Sequence, residues 1–192
     1  AAAPAAPELA SRFRLLGVMA GKSPESSGFA TIAVDSKPAR TYPVAGDWAG
    51  VEVAFGGTAN LNWARIEHAT NGVYFNGGGG TLTHTLIRFC TYGIRVAAKS
   101  SPAINNGSEI TRNTYGLYVI GNNALAENPL PAITGSSLYA NTTKNYYART
   151  FASPKPTLTA TGNWWGTTDP AAIAATIDAT GSTAPLVNSS GF

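Results

Sequence analysis

The chain has 192 residues, enough for one domain or one domain with a small extension. Charged residues make up 12% and hydrophobic residues 44%, with 21 Gly and 12 Pro, a balance that suits turn-rich β structure and excludes a helical bundle. The net charge of +3 is spread along the chain without runs of one sign, which argues against nucleic acid as a partner. The one cysteine, Cys90, rules out an internal disulfide and reads as a small buried hydrophobe.

In chain order, residues 1–11 open with Ala1-Ala2-Ala3-Pro4-Ala5-Ala6-Pro7, which reads as a linker or as the new end left by export and cleavage. Residues 12–45 hold two apolar stretches separated by a Gly/Ser/Pro loop, Phe13 to Gly21 and Gly28 to Tyr42. They read as a two-strand segment that caps the remaining domain or donates strands to a neighbour. Phe13, Leu15, Leu16, Val18, Phe29, Ile32 and Val34 are its candidate assembly residues. No apolar stretch is long enough for a transmembrane helix.

From about Trp48 onward the sequence repeats. A first apolar anchor recurs at Leu61, Leu82, Ile104, Ile133 and Leu158, spaced 21, 22, 29 and 25 residues apart. A second follows at Ile66, Ile87, Ile110 and Leu138, and a third at Val73, Ile94, Leu117 and Tyr146. Gly72, Gly93 and Gly116 precede three of the third anchors, and Asn145 stands in that place in the last. Positive φ at these positions would explain the preference. One such unit cannot bury its own apolar face, but stacked units place branched side chains on one another along a continuous core. The expectation is an all-β parallel β-helix of about 5–6 coils over residues 46–192. Alternation within strands puts Ile87 and Phe89 on one side and Arg88 on the other. Gly77 to Gly80 and Gly121 to Pro129 read as turns. A β-sandwich is the competing fold, but it needs no three-anchor repeat.

These repeats resemble those of secreted right-handed parallel β-helix proteins, the pectate-lyase-like superfold, over residues 45–187. Gly46-Asp47-Trp48-Ala49-Gly50-Val51 resembles their opening coil. Gly162-Asn163-Trp164-Trp165-Gly166 resembles the phrase that closes their last one. A short capping helix is expected next, with Thr168 or Asp169 as its cap, Pro170 in its first turn, and Ile173 and Ile177 sharing a face. Residues 12–42 resemble the opening strands of the periplasmic homology region in the inner-membrane C component of type II secretion systems.

Enzymes of this superfold act on acidic polysaccharides with converging carboxylates and a basic residue. Here Asp35, Asp47, Asp169 and Asp178 lie outside the central coils, and Glu67 and Glu109 do not align as a pair. His68 and His84 fall in different coils. No catalytic constellation, metal site or cofactor is expected. Tyrosines of the coils could form a sugar platform, and Arg88, Arg112, Tyr115 and Tyr118 are the candidate glycan contacts. Three functions are compatible with this sequence. The first is a non-catalytic structural subunit of a bacterial cell-surface or extracellular assembly, a homo-oligomer or filament joined through its N-terminal strands. The second is a polysaccharide-binding or polysaccharide-cleaving protein. The third is a secretion-system accessory.

Overall fold

The computed structural model describes residues 30–33, as backbone, and 43–191. Seventeen strands and one helix follow in order: β1 (Ala30–Ala33), β2 (Trp48–Val53), β3 (Thr58–Asn62), β4 (Arg65–Glu67), β5 (Ala69–Asn76), β6 (Gly79–Thr83), β7 (Leu86–Arg88), β8 (Tyr92–Ala97), β9 (Ala103–Asn105), β10 (Glu109–Thr111), β11 (Tyr115–Ile120), β12 (Ala132–Ile133), β13 (Ser137–Tyr139), β14 (Lys144–Arg149), β15 (Thr157–Thr159), α1 (Pro170–Ala175), β16 (Ile177–Asp178) and β17 (Leu186–Asn188). They form three sheets. Sheet A runs β1-β2-β5-β8-β11-β14-β16, sheet B runs β3-β6-β9-β12-β15-β17, and sheet C runs β4-β7-β10-β13. The chain visits A, B and C in turn, so a strand pairs with the one laid down a circuit earlier. Every pairing between these strands is parallel except the antiparallel β1–β2. Among the described residues, the protein is all-β with one short helix.

The anchors fall into register. Leu61, Leu82, Ile104 and Ile133 are consecutive partners in sheet B. Ile66, Ile87, Ile110 and Leu138 are partners in sheet C, and Val73, Ile94, Leu117 and Tyr146 in sheet A. Eleven of these twelve are buried; Leu61, in the first circuit, is half-buried. The fifth sheet B anchor departs from the expected alignment. β12 and β15 meet at Ala132↔Thr159, two residues away from an Ile133↔Leu158 pairing. Because side chains alternate with period two, this even offset leaves both Leu158 and Ala160 buried.

The strands are short because single left-handed residues bend the chain at two corners. Trp63, His84, Asn106 and Gly135 (φ 57°, 48°, 50° and 55°) carry it from sheet B to sheet C. His68, Phe89, Arg112 and Ala140 (φ 62°, 57°, 55° and 52°) carry it from C to A. Phe89 therefore does not share the inward side of Ile87. It sits on a corner, stacked on His68 at 5.3 Å with Arg88 above it.

Inside the C-to-A corner, asparagines join successive circuits, Asn113 and Asn145 buried and Asn141 half-buried. Asn113 Oδ1 accepts from the Cys90 N–H at 2.9 Å, and its amide donates to the Ile87 carbonyl and to Asn141 Oδ1. Asn141 donates to Asn145 Oδ1 in turn. This ladder supplies partners for backbone groups that water cannot reach.

The glycines before the third anchors serve a different purpose from the one expected. Neither Gly72, Gly93, Gly116 nor Asn145 has positive φ. A Cβ on Gly72 would lie 2.4 Å from the Gly93 carbonyl oxygen, and one on Gly93 would lie 2.7 Å from that of Gly116. Close approach of neighbouring backbones, rather than φ, excludes side chains at these glycines. Gly79 and Gly80 belong to β6 and not to a turn, and Gly80 has the left-handed φ of 136° beside the Ala59 carbonyl.

At the C-terminal end, Asp169 caps α1 by accepting from the Ala171 N–H at 2.9 Å. Ile173 on the helix is buried, whereas Ile177 lies beyond it, on β16, opposite Tyr146. Trp165 is buried, and Trp164 forms a parallel bridge to Ser137.

Candidate functional site

Outward positions of sheet A are set by the third anchors. The residue after each anchor points away from the core by alternation, and so does the residue two before it, because the buried Gly or Asn just before each anchor breaks the alternation. In β5, β8, β11 and β14 these positions carry Tyr74, Tyr92, Arg95, Tyr115, Tyr118, Lys144 and Tyr147. Register then builds two rows. One runs Glu52, Tyr74, Arg95, Tyr118, Tyr147, Asp178. The other runs Asn71, Tyr92, Tyr115, Lys144.

The rings pack together as a herringbone. Tyr118 and Tyr147 stack at 4.8 Å with 3° between planes, and Tyr92 and Tyr115 stack at 5.6 Å with 17°. Tyr115 meets Tyr118 edge-on at 5.2 Å. Such pairs add about 0.5–1.5 kcal/mol beyond area burial. All five tyrosines are half-buried. Burial, with Tyr147 and Tyr92 adjoining, holds the Tyr118 phenol above its ordinary pKa.

Each charge on this face is already engaged. The Arg95 guanidinium lies 4.6 Å from the Tyr74 ring centre and 5.7 Å from that of Tyr92. Arg149 forms a bidentate pair with Asp178 at 2.7 and 2.9 Å and lies 5.2 Å from the Tyr147 ring. Burial opposes ionisation of Asp178, but Arg149 and Thr180 outweigh it and lower the carboxyl's pKa. Lys144 donates to the Ala175 carbonyl, and Glu52 accepts from the Asn76 amide.

Of the four glycan contacts expected from sequence, Tyr115 and Tyr118 belong to this face and Arg88 and Arg112 do not. Arg88 binds Glu67 on sheet C, and Arg112 occupies a corner 6.0 Å from the Phe89 ring centre. The other tyrosines divide. Tyr146 is in the core, and Tyr139 on sheet C donates to Glu109 at 2.7 Å. That Tyr74, Arg95 and Tyr147 belong to this face was legible from their place one residue after a third anchor, whereas Tyr92, two before one, reads as inward by alternation.

Elsewhere the titratable groups are spent on structure. Arg65 and Arg88 both bind Glu67, and their pull outweighs the opposing effect of burial to lower the Glu67 pKa. His84 stacks on Trp63 at 4.3 Å, so both histidines sit on corners. A shallow groove runs beside His68, Phe89, Cys90 and Arg112, but burial pushes the Cys90 thiol up to about 11, so it is not a thiolate at neutral pH. Among the described residues, no three His, Cys, Asp or Glu side chains converge in a metal-holding group, and no helix is long and apolar enough to cross a membrane.

Of the candidate assembly residues, Ile32 lies on β1 and pairs with Val51 of its own chain. Phe13, Leu15, Leu16, Val18, Phe29 and Val34 fall outside the described residues. The outer edges of sheet B are β3 at one end and β17 at the other. Large apolar side chains are exposed at both ends of the stack: Phe55 (87%) and Trp63 (75%) in the first circuit, and Leu186 (72%) on β17. Comparisons with protein families, with curated proteins and with solved structures return no match to this chain.

Proposed function

We propose that the chain is a right-handed parallel β-helix of 5–6 coils that serves as a non-catalytic structural subunit of a bacterial cell-surface or extracellular assembly. The observation that supports this most is the pair of edges of sheet B. β3 and β17 are both parallel edge strands, neither carries a charge, and each has a large exposed apolar residue on it or beside it. An edge strand offers unpaired backbone groups to another strand. Setting β17 of one copy against β3 of the next would continue the ladder in the same sense. Such a head-to-tail contact does not close, so it propagates as a filament.

Pairing of β1 with its own β2 supports a capping role for this part of the N-terminal segment, with the intermolecular contact at sheet B. A polysaccharide-cleaving role finds less support, because Glu52, Glu67, Glu109 and Asp178 each already hold a structural partner. The secretion-accessory reading rests on residues mostly outside those described.

Negative-stain electron microscopy and light scattering over a range of protein concentrations test the assembly. Filaments are expected, and the exposed-site substitution Leu186→Lys should disperse them without lowering the melting temperature. Monomers at every concentration would sink the reading.

A further inference from the structure

We infer that the outward face of sheet A is a platform for an uncharged polysaccharide. This inference is independent of whether copies assemble. A continuous outward-facing aromatic surface, each ring half-exposed, calls for a partner. Here the tyrosine rows cross four adjacent strands, roughly 14 Å at about 4.8 Å per strand spacing.

Chemistry narrows the partner. The phenol groups of Tyr74, Tyr92, Tyr115 and Tyr118 make no hydrogen bond to the described protein, and none of them is a sealed-off polar atom. Each can donate and accept. The face therefore presents apolar ring bodies and unspent hydroxyls at a regular repeat. A pyranose chain presents the matching pair, apolar C–H faces and hydroxyl edges. A charged polymer would gain less. Arg95 already lies against two rings, Arg149 is neutralised by Asp178, and Lys144 is held by a carbonyl. The ligand class is thus distinct from the acidic polysaccharides that the sequence resemblance implied.

Affinity electrophoresis of the full chain through gels containing dextran, a mixed-linkage β-glucan, galactomannan, polygalacturonate or alginate tests this, at low and high salt. At least one neutral polymer should retard the protein equally at both salt concentrations, since no ion pair is involved. Tyr118→Ala should weaken retardation by about 5- to 10-fold, in line with one lost aromatic contact. Tyr92→Ala is a second variant in the other row. Tyr118→Phe, which keeps the ring, guards against loss of fold and should weaken binding less. On the unmutated protein, the retarding polymer should also protect tyrosine from nitration.

Four outcomes would overturn the inference. They are no retardation by any neutral polymer, retardation by acidic polymers alone with loss in high salt, retention unchanged in folded Tyr118→Ala and Tyr92→Ala, or a self-association lost in these variants without any glycan binding. The last would make the face a contact between copies.

Discussion

Gly72→Ala isolates the requirement for close backbone approach between circuits. Gly72 has ordinary φ, so alanine meets no conformational obstacle there. Its Cβ would instead lie 2.4 Å from the Gly93 carbonyl oxygen and 2.5 Å from Ile87 Cγ2. One neighbour is backbone in a ladder and the other a fully buried core side chain, so neither can yield freely. Overpacking of this kind costs about 1–3 kcal/mol. Distorting the adjoining ladder bond adds about 0.5–1.5 kcal/mol. At about 2–4 °C per kcal/mol for a chain of this size, the melting temperature should fall by roughly 3–18 °C. Gly79→Ala is the matched control, because its added Cβ meets nothing within 4 Å. Restricting the unfolded chain there should stabilise by about 0.4–1 kcal/mol. Differential scanning calorimetry of the two variants should give shifts of opposite sign. A Gly72→Ala protein that melts within a degree of the parent would refute the close-approach argument.

The asparagine ladder makes a second prediction. Asn113→Ala strips the Cys90 N–H and the Ile87 carbonyl of partners in a buried corner, so it should cost about 2–4 kcal/mol in urea denaturation. Ala140→Gly relieves a left-handed alanine (φ 52°) at the same corner. Set against the entropy of glycine, it should raise stability by about 0.5–1 kcal/mol in the same assay. Acid should unfold the protein in a defined sense. Glu67 and Asp178 have folded-state pKa values below their ordinary 4.5 and 3.8, so their contribution is present above those values and is lost as pH falls through the lower folded ones. A Glu67→Gln, Asp178→Asn protein should show a shallower drop in urea midpoint below about pH 4.5. Cys90, buried and with its thiol pKa raised to about 11, should resist thiol reagents at mildly alkaline pH and react once denaturant is added.

The three anchor series were legible because a large apolar side chain recurs at the same place in each circuit, branched at every anchor except Tyr146. Corners were not legible. A single left-handed residue suffices to turn the chain, and here only Asn106 and Gly135 are of the kinds by which such positions are usually recognised, while Trp63, His84, His68, Phe89, Arg112 and Ala140 are not. Phe89 was assigned to the wrong side for that reason. Gly72, Gly93 and Gly116 were found, but their physical cause was misread, since sequence alone does not separate conformational freedom from lack of space. Asn113 and Asn141 carried no signal as a ladder until the corner aligned them. The tyrosine face lay between these cases. Tyr92 and Tyr115 stand two residues before Ile94 and Leu117, and Tyr118 and Tyr147 stand one after Leu117 and Tyr146, so the pattern depends on the anchors being aligned first.

The two-residue offset between β12 and β15 behaves like a detent on a sliding scale. Counting from Ala132↔Thr159 sets Ile133 level with Ala160 and Pro131 level with Leu158, all of them buried. A slip of one would have sent Thr159 toward the core and Leu158 toward water. At this one junction the register is therefore indexed by a step of two, while at the others anchor meets anchor. Lengthening or trimming within a strand by an even number can be absorbed without turning any side chain inside out, while an odd change must be spent in the corners.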